Sequence, residues 1–264
     1  MYLMKREKIT ILIPCHNEEQ GIAKVMDNIP HNTLARHGFE SKVMVIDNNS
    51  SDRTREIAES KGAHVIFEHA KGKGNAMRKA FNSIDNDTAY VVMLDGDNTY
   101  DPREMLRLIE PITSGFCDVV VGSRLGGKVI KNAFKSQNRV ANCIYTFLVR
   151  SFYGAKITDV LSGYFAWRKD VIIEMRDYLE SEGFGIEMEM ISKLVKLDYS
   201  IYSVPITYNI REGDTKVEPI RDGLEILVTL SRNLFWSPAK AMAGKKKLDL
   251  LKTVSEWETT DLMN

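Results

Sequence analysis

Net charge is what this chain most plainly lacks: 36 lysines and arginines balance 36 aspartates and glutamates. That neutrality argues against bulk nucleic-acid binding, which needs a basic surface field. Cysteine is scarce. Cys15, Cys117 and Cys143 are far apart and show no metal spacing, so a reduced, cytosolic setting is the expectation. No uninterrupted apolar run approaches the ~18 residues of a membrane span. The first eight residues are charged and lack the apolar core of a secretory leader. Any membrane contact is therefore expected from the surface, on the cytoplasmic face. Internal repeats and low-complexity tracts are absent. The loop after the first apolar run is not Gly-x-Gly-x-x-Gly, so a dinucleotide-binding domain loses its main support.

What the chain does have is core material. Apolar residues make up 44% of its 264 positions, enough for one large α/β domain or two small ones. The stretch Val91-Val92-Met93-Leu94-Asp95-Gly96-Asp97-Asn98 organises the rest. Four apolar residues in a row suit a strand buried on both faces. Two carboxylates astride a glycine follow at once, where an open α/β sheet places its ligands. Asp95 and Asp97 make a hard oxygen site suited to Mg²⁺ or Mn²⁺ with phosphate oxygens. Taken alone, Asp-Gly-Asp is as readily a solvated turn; its neighbours decide.

Ile9 to Ile13 reads as a first strand, ending in Pro14-Cys15-His16-Asn17-Glu18-Glu19. Asn17 suits a helix N-cap before Ile22, Val25, Met26 and Ile29, which recur at helical spacing. Lys42 to Ile46 is a second strand, with Asp47 at its end and Asp52 as the cap of the next helix. One carboxylate at Asp47 can accept from a base N–H or a ribose hydroxyl. His64 to Phe67 is a third strand. Lys71-Gly72-Lys73-Gly74-Asn75 then opens a helix, where glycines beside lysines can cradle an anion. Asp101-Pro102 starts another helix. Asp118 to Arg124 is a fifth strand with a basic end. These βα units, with polar residues at each strand end, predict a nucleotide-binding α/β architecture.

In that order, Pro14 to Glu18, Val45 to Thr54, Gly72-Lys73-Gly74 and Asp95-Gly96-Asp97 resemble the motifs of inverting GT-A glycosyltransferases. Gly122-Ser123-Arg124, Asp159 to Ala166 and Arg211 to Lys216 resemble the polyprenyl-phosphate branch, which includes dolichyl-phosphate mannose synthases. The resemblance spans roughly residues 9 to 235. It implies a GT-A fold, with a mostly parallel sheet flanked by helices, over residues 1–240, and a polar, basic tail over 241–264. It implies a nucleotide pocket of Pro14, Asn17, Glu18, Asp47, Asn48, Lys73, Asp95 and Gly96, with Asp95 and Asp97 on the metal. It also implies that Arg124, Arg211 and Lys216 face donor or acceptor phosphate. Two positions depart from the pattern: Asn48 replaces a second acid, and Thr99 replaces a frequent glutamine.

The expected reaction is metal-dependent transfer of a sugar from a nucleotide-sugar to dolichyl or polyprenyl phosphate. A lipid phosphate is already anionic, so it needs cations and alignment more than a base. Two alternatives stand beside it. A sugar hydroxyl acceptor would make Asp159 the general base; otherwise Asp159 orients Arg124. A silent nucleotide-sugar-binding module would need none of these groups for turnover. Near the membrane, Val140, Cys143, Ile144, Phe147 and Leu148 fall at helical spacing behind Lys128, Lys131, Lys135 and Arg139. A second amphipathic helix is expected from Gly223 to Trp236. Such helices suit an anionic membrane surface, and equally a packed core. Glu187 and Glu189 read as structural acids at a helix start, with donor contact as the second reading.

Overall fold

The computed structural model describes residues 6–239, 241 and 242. The elements run β1 (Glu7–Cys15), α1 (Ile22–Asp27), α2 (His31–Arg36), β2 (Phe39–Asp47), α3 (Thr54–Ser60), β3 (His64–Phe67), α4 (Lys73–Asn82) and β4 (Thr88–Met93). There follow α5 (Met105–Thr113), β5 (Val119–Val129), α6 (Ser136–Tyr153), β6 (Phe165–Arg168), α7 (Lys169–Arg176), α8 (Ile186–Lys196), β7 (Ile201–Tyr208) and α9 (Pro219–Phe235). A short 3-10 turn at Pro102–Glu104 leads into α5, and Asp101 caps it by accepting from the Arg103 N–H.

Seven strands form one sheet in the order β3-β2-β1-β4-β6-β5-β7. β1 to β4 pair in parallel, as do β5 and β7, whereas β6 runs antiparallel to both β4 and β5. The mostly parallel α/β sheet agrees with the sequence reading. The central parallel strands β1, β2 and β4 carry buried apolar runs because helices cover both faces. Leu12, Met44, Ile46, Val91 and Met93 pack with Met77, Phe81 and Ile191 on one face. Ile11, Ile13, Val45, Val92 and Leu94 pack with Ile22, Val25 and Leu108 on the other. Trp167 stacks on Phe165 at 5.0 Å and meets Phe81 edge-on at 5.7 Å.

The register sets Cys15 beside Asp47 and Leu12 beside Met93, so the carboxyl ends of β1, β2 and β4 share one rim. Helix α1 starts at Ile22 after Gly21, so Asn17 does not cap it. Asn17 is a turn residue at φ 53° instead, and its side chain accepts from the Ser51 N–H at 2.7 Å. The bases from 128 to 139 form no helical stripe. Lys128 pairs with Thr207 in the sheet, and of the four only Arg139 lies on α6. No described helix is long and apolar enough to cross a membrane. The expected tail lies outside the described residues beyond 242.

Candidate active site

Asparagines turn the chain at the rim. Asn17, Asn49 and Asn98 follow β1, β2 and β4 with φ of 53°, 59° and 62°, a left-handed geometry that asparagine tolerates. Beneath them the loops press together without side chains. A Cβ on Gly96 would meet Cys15 Sγ at 2.6 Å, and one on Gly21 would meet Gly96 O at 2.6 Å. This contact fixes the Asp95–Asp97 loop against the end of β1.

Asp97 is buried. Its Oδ1 accepts from the Thr99 N–H at 3.0 Å and the Thr99 hydroxyl at 2.5 Å. Its Oδ2 pairs with Arg211, whose other arm pairs with Glu18 Oε1. The Arg211 Nε donates to Asp214 O at 2.9 Å, and the Glu212 N–H donates to Asp97 O at 2.9 Å. The segment from 209 to 218, which also carries Lys216, is thereby folded onto the acids. Lys216 Nζ donates to Asp214 O at 3.2 Å.

The acids are crowded. Burial pushes the Glu18 carboxyl up to about 7, against the pull of Arg211 and with help from the Asp97 charge. Burial and the Asp95 charge raise Asp97 as well, while Arg211 opposes them. Glu18 Oε2 is buried with no hydrogen-bond partner. An acid cluster with an orphaned oxygen is suited to a further cation. Among the described residues, no three His, Cys, Asp or Glu side chains are arranged to hold a metal alone. Asp95 and Asp97 fit a hard divalent ion that draws its remaining oxygens from a diphosphate and water.

Lys73 stands behind Asp95. Its Nζ lies 2.8 Å from Asp95 Oδ1 and 2.7 Å from Glu187 Oε1. The anion cradle expected around it is filled by protein. The Gly74 and Asn75 N–H groups donate to Gly183 O and Glu182 O, both at 3.1 Å. A Cβ on Gly74 would lie 2.1 Å from Ser181 O, so the glycine serves close packing. Sequence reasoning named Glu187 but missed its pairing with Lys73, because that partner is on another helix and linear spacing carries no sign of it. Glu189 is the structural acid foreseen: it accepts from the Ser181 N–H at 2.7 Å and pairs with Lys193 at 2.6 Å.

Asp47 is buried at the end of β2, its Oδ1 accepting from the Ser50 N–H at 3.0 Å. Asn48 is held by the neighbouring loop. Its amide donates to Ala70 O at 2.6 Å and accepts from the Gly72 N–H at 2.8 Å. It ties the β2 loop to the segment before α4. Pro14, buried in β1 beside Ile46, shapes the floor.

Arg124 and Asp159 form a buried pair to one side. The Arg124 N–H and Nε both donate to Asp159 Oδ2 at 2.8 Å, and Nη2 donates to Oδ1 at 2.8 Å. Asn142 Nδ2 donates to the same Oδ1 at 2.6 Å. The guanidinium lies 4.9 Å from the Phe134 ring centre and 5.4 Å from that of Tyr208. Burial works to raise the Asp159 carboxyl, but Arg124 and Asn142 outweigh it and hold it below the usual range. Asp159 has the geometry of an orienting group. The alternative of a hydroxyl-activating base finds no exposed oxygen there.

A mostly parallel seven-stranded sheet flanked by helices, with acids gathered at one rim, is a GT-A-like fold. The chain belongs to glycosyl transferase family 2, whose model matches residues 10–176, and it is thus a glycosyltransferase. It is 38% identical over 228 residues to the glycosyltransferase AglJ of Haloferax volcanii, covering 86% of this chain and 72% of that one. It is 31% identical to a dolichyl-phosphate hexose transferase of the same organism, covering 83% and 91%. Its fold is similar to glucosyl-3-phosphoglycerate synthase from Mycobacterium tuberculosis, solved with Mn²⁺, UDP and glucosyl-3-phosphoglycerate. That likeness has a TM-score of 0.65 at 20% identity and covers 86% of this chain and 80% of that one.

Proposed function

We propose that this chain, as a single GT-A unit, moves a hexose from a nucleotide-sugar to a polyprenyl or dolichyl phosphate at a membrane surface. The observation that carries the proposal is the Asp95–Asp97 pair at the end of β4, with Arg211 clamped across Asp97 and Glu18. Asp95 and Asp97 would hold Mg²⁺ or Mn²⁺, which, when bound, offsets charge developing on the departing diphosphate. Glu18, Asp47 and Pro14 shape the nucleotide side. Arg211 and Lys216 sit on one loop and supply charge-assisted hydrogen bonds to phosphate. Arg124, locked by Asp159, supplies a fixed positive charge beside them. A phosphate acceptor agrees with the absence of an open carboxylate base at Asp159. The relative named a dolichyl-phosphate hexose transferase supports the acceptor class.

The membrane part rests on α6 and α9. The Tyr145 hydroxyl donates to Gly223 O at 3.2 Å and the Tyr153 hydroxyl to Leu230 O at 2.7 Å, so the helices lie side by side. Both expose apolar residues, including Phe147 at 67%, Ile220 at 83% and Phe235 at 79%. Paired apolar helix faces with nearby bases suit the bilayer interface.

The test is transfer of labelled sugar from UDP- and GDP-sugars, with Mn²⁺, to a polyprenyl phosphate and to a glycosyl hydroxyl. Arg211→Ala and Lys216→Ala should each impair transfer to the phosphate strongly. Arg211→Lys should stay poor, since lysine lacks the bidentate fork. Transfer to the hydroxyl alone, indifferent to Arg211→Ala, would reject the lipid-phosphate acceptor.

A further inference from the structure

We infer that Glu187 is a positioning residue that takes Lys73 over from Asp95 when a metal–nucleotide complex binds. The inference rests on the nucleotide-sugar reading above. Asp95, Lys73 and Glu187 form a line of three charges, with the ammonium 2.8 Å from one carboxylate and 2.7 Å from the other. The two ends differ in exposure. The Asp95 side chain is 25% exposed at the rim, whereas that of Glu187 is 6% exposed behind it. An incoming cation therefore reaches Asp95 and not Glu187.

The framework decides which member moves. Glu187 is the second residue of α8, and α8 is fastened at both ends. Glu189 holds the Ser181 N–H at 2.7 Å, and Lys196 donates to Leu234 O at 2.7 Å and Trp236 O at 2.6 Å. Asp95 is confined as well: a Cβ on Gly163 would lie 2.5 Å from its Oδ2. The Lys73 backbone is set by the bonds of Gly74 and Asn75 to the 182–183 segment. Its four-carbon stem is the flexible part of the triad.

Charge supplies the reason for the handover. An ammonium held on Asp95 cancels the charge that a divalent cation needs, and the two cations repel. Displacing a buried lysine with no second partner would strand its charge, which costs more than the pair contributes. Glu187 offers that partner at the same reach. Together the three side chains keep one net negative charge, so Asp95 stays available. With glutamine at 187, Lys73 has Asp95 as its single anion in the triad.

Mn²⁺ affinity, read by the EPR signal of free Mn²⁺ with saturating UDP or GDP and no sugar, tests the handover without turnover. Glu187→Gln should weaken Mn²⁺ binding by about tenfold, a common size for coupling between sites. Adding Lys73→Met to Glu187→Gln should restore most of the loss, because Asp95 is then free of its lysine. Equal affinity of Glu187→Gln and the unaltered protein would overturn the inference. So would a double variant no better than the single one, the result of a merely structural role. Thermal melts establish that each variant is folded. Should Glu187→Gln not fold, Lys73→Met alone decides: tighter Mn²⁺ binding supports the handover and weaker binding overturns it. If the unaltered protein binds Mn²⁺ with neither nucleotide, the donor reading fails and the inference falls with it.

Discussion

Asp97, Glu18 and Arg211 carry the argument at the scale of single residues. Asp97→Asn removes half of the acid pair but keeps the Thr99 contacts that shape the loop. Transfer should fall by at least ~10²-fold, the scale of losing one preorganised electrostatic partner, while the melting temperature changes little. Normal turnover after chelation of metal would defeat that expectation. Glu18 gives a pH signature. Its carboxyl ionises at about 7 in the folded protein, against an ordinary 4.5. Between those values the native state keeps a proton that the unfolded chain has lost, so stability falls as pH rises from 4.5 to 7. The loss is at most ~3 kcal/mol. Denaturant melts across that window should show a shallower decline in Glu18→Gln, and an identical slope would remove Glu18 as its source. Asp95 and Asp97 were legible in the sequence because a buried run announces the strand end. The grip of Arg211 on Glu18, the Lys73–Glu187 pair and the tether made by Asn48 were not. Each joins residues from separate elements, and local spacing records nothing of such contacts.

At the scale of elements, β1, β2, β4 and β5 were legible from their apolar runs, whereas the parallel strand β7 was not, because Ile201-Tyr202-Ser203-Val204-Pro205-Ile206-Thr207-Tyr208 mixes polar and apolar residues without such a run. Strand β6 was not, because Phe165-Ala166-Trp167-Arg168 is too short to show a period. Helix α2 was missed for the same reason, being six residues long with no capping side chain. The glycines around Lys73 suggested an anion loop, yet Gly74 exists for contact with Ser181. Gly74→Ala forces that backbone apart and should destabilise the protein by ~1–3 kcal/mol, the range for overpacking. Urea titration measures it, and an unchanged midpoint would show that the 181–183 segment yields freely.

At the scale of the whole molecule, most of the exposed large apolar side chains among the described residues lie on α6 and α9. Ile144→Ser with Phe147→Ser should lower partition onto anionic vesicles by roughly ten- to a hundredfold per residue, given ~1.5–3 kcal/mol for each buried apolar side chain. Stability should hold, because both residues are exposed. Leu148→Ser should behave oppositely, since Leu148 packs against the core. Vesicle sedimentation together with thermal melts separates the two outcomes. Undiminished sedimentation of the double variant would remove this face as the contact.

Strand β6 also bears on assembly during synthesis. It joins β3-β2-β1-β4 to β5-β7, and among the described residues no other strand bonds both groups. A nascent chain that has not yet delivered residue 165 holds the β3-β2-β1-β4 group and a lone β5, both with bare edges, the kind of surface that invites mispairing. The acids of the β4 loop lie on one half and Arg124 on the other, so their spacing is set when this late strand docks. The site is closed later still, when β7 has paired with β5 and the segment after it has brought Arg211 onto Asp97 and Glu18.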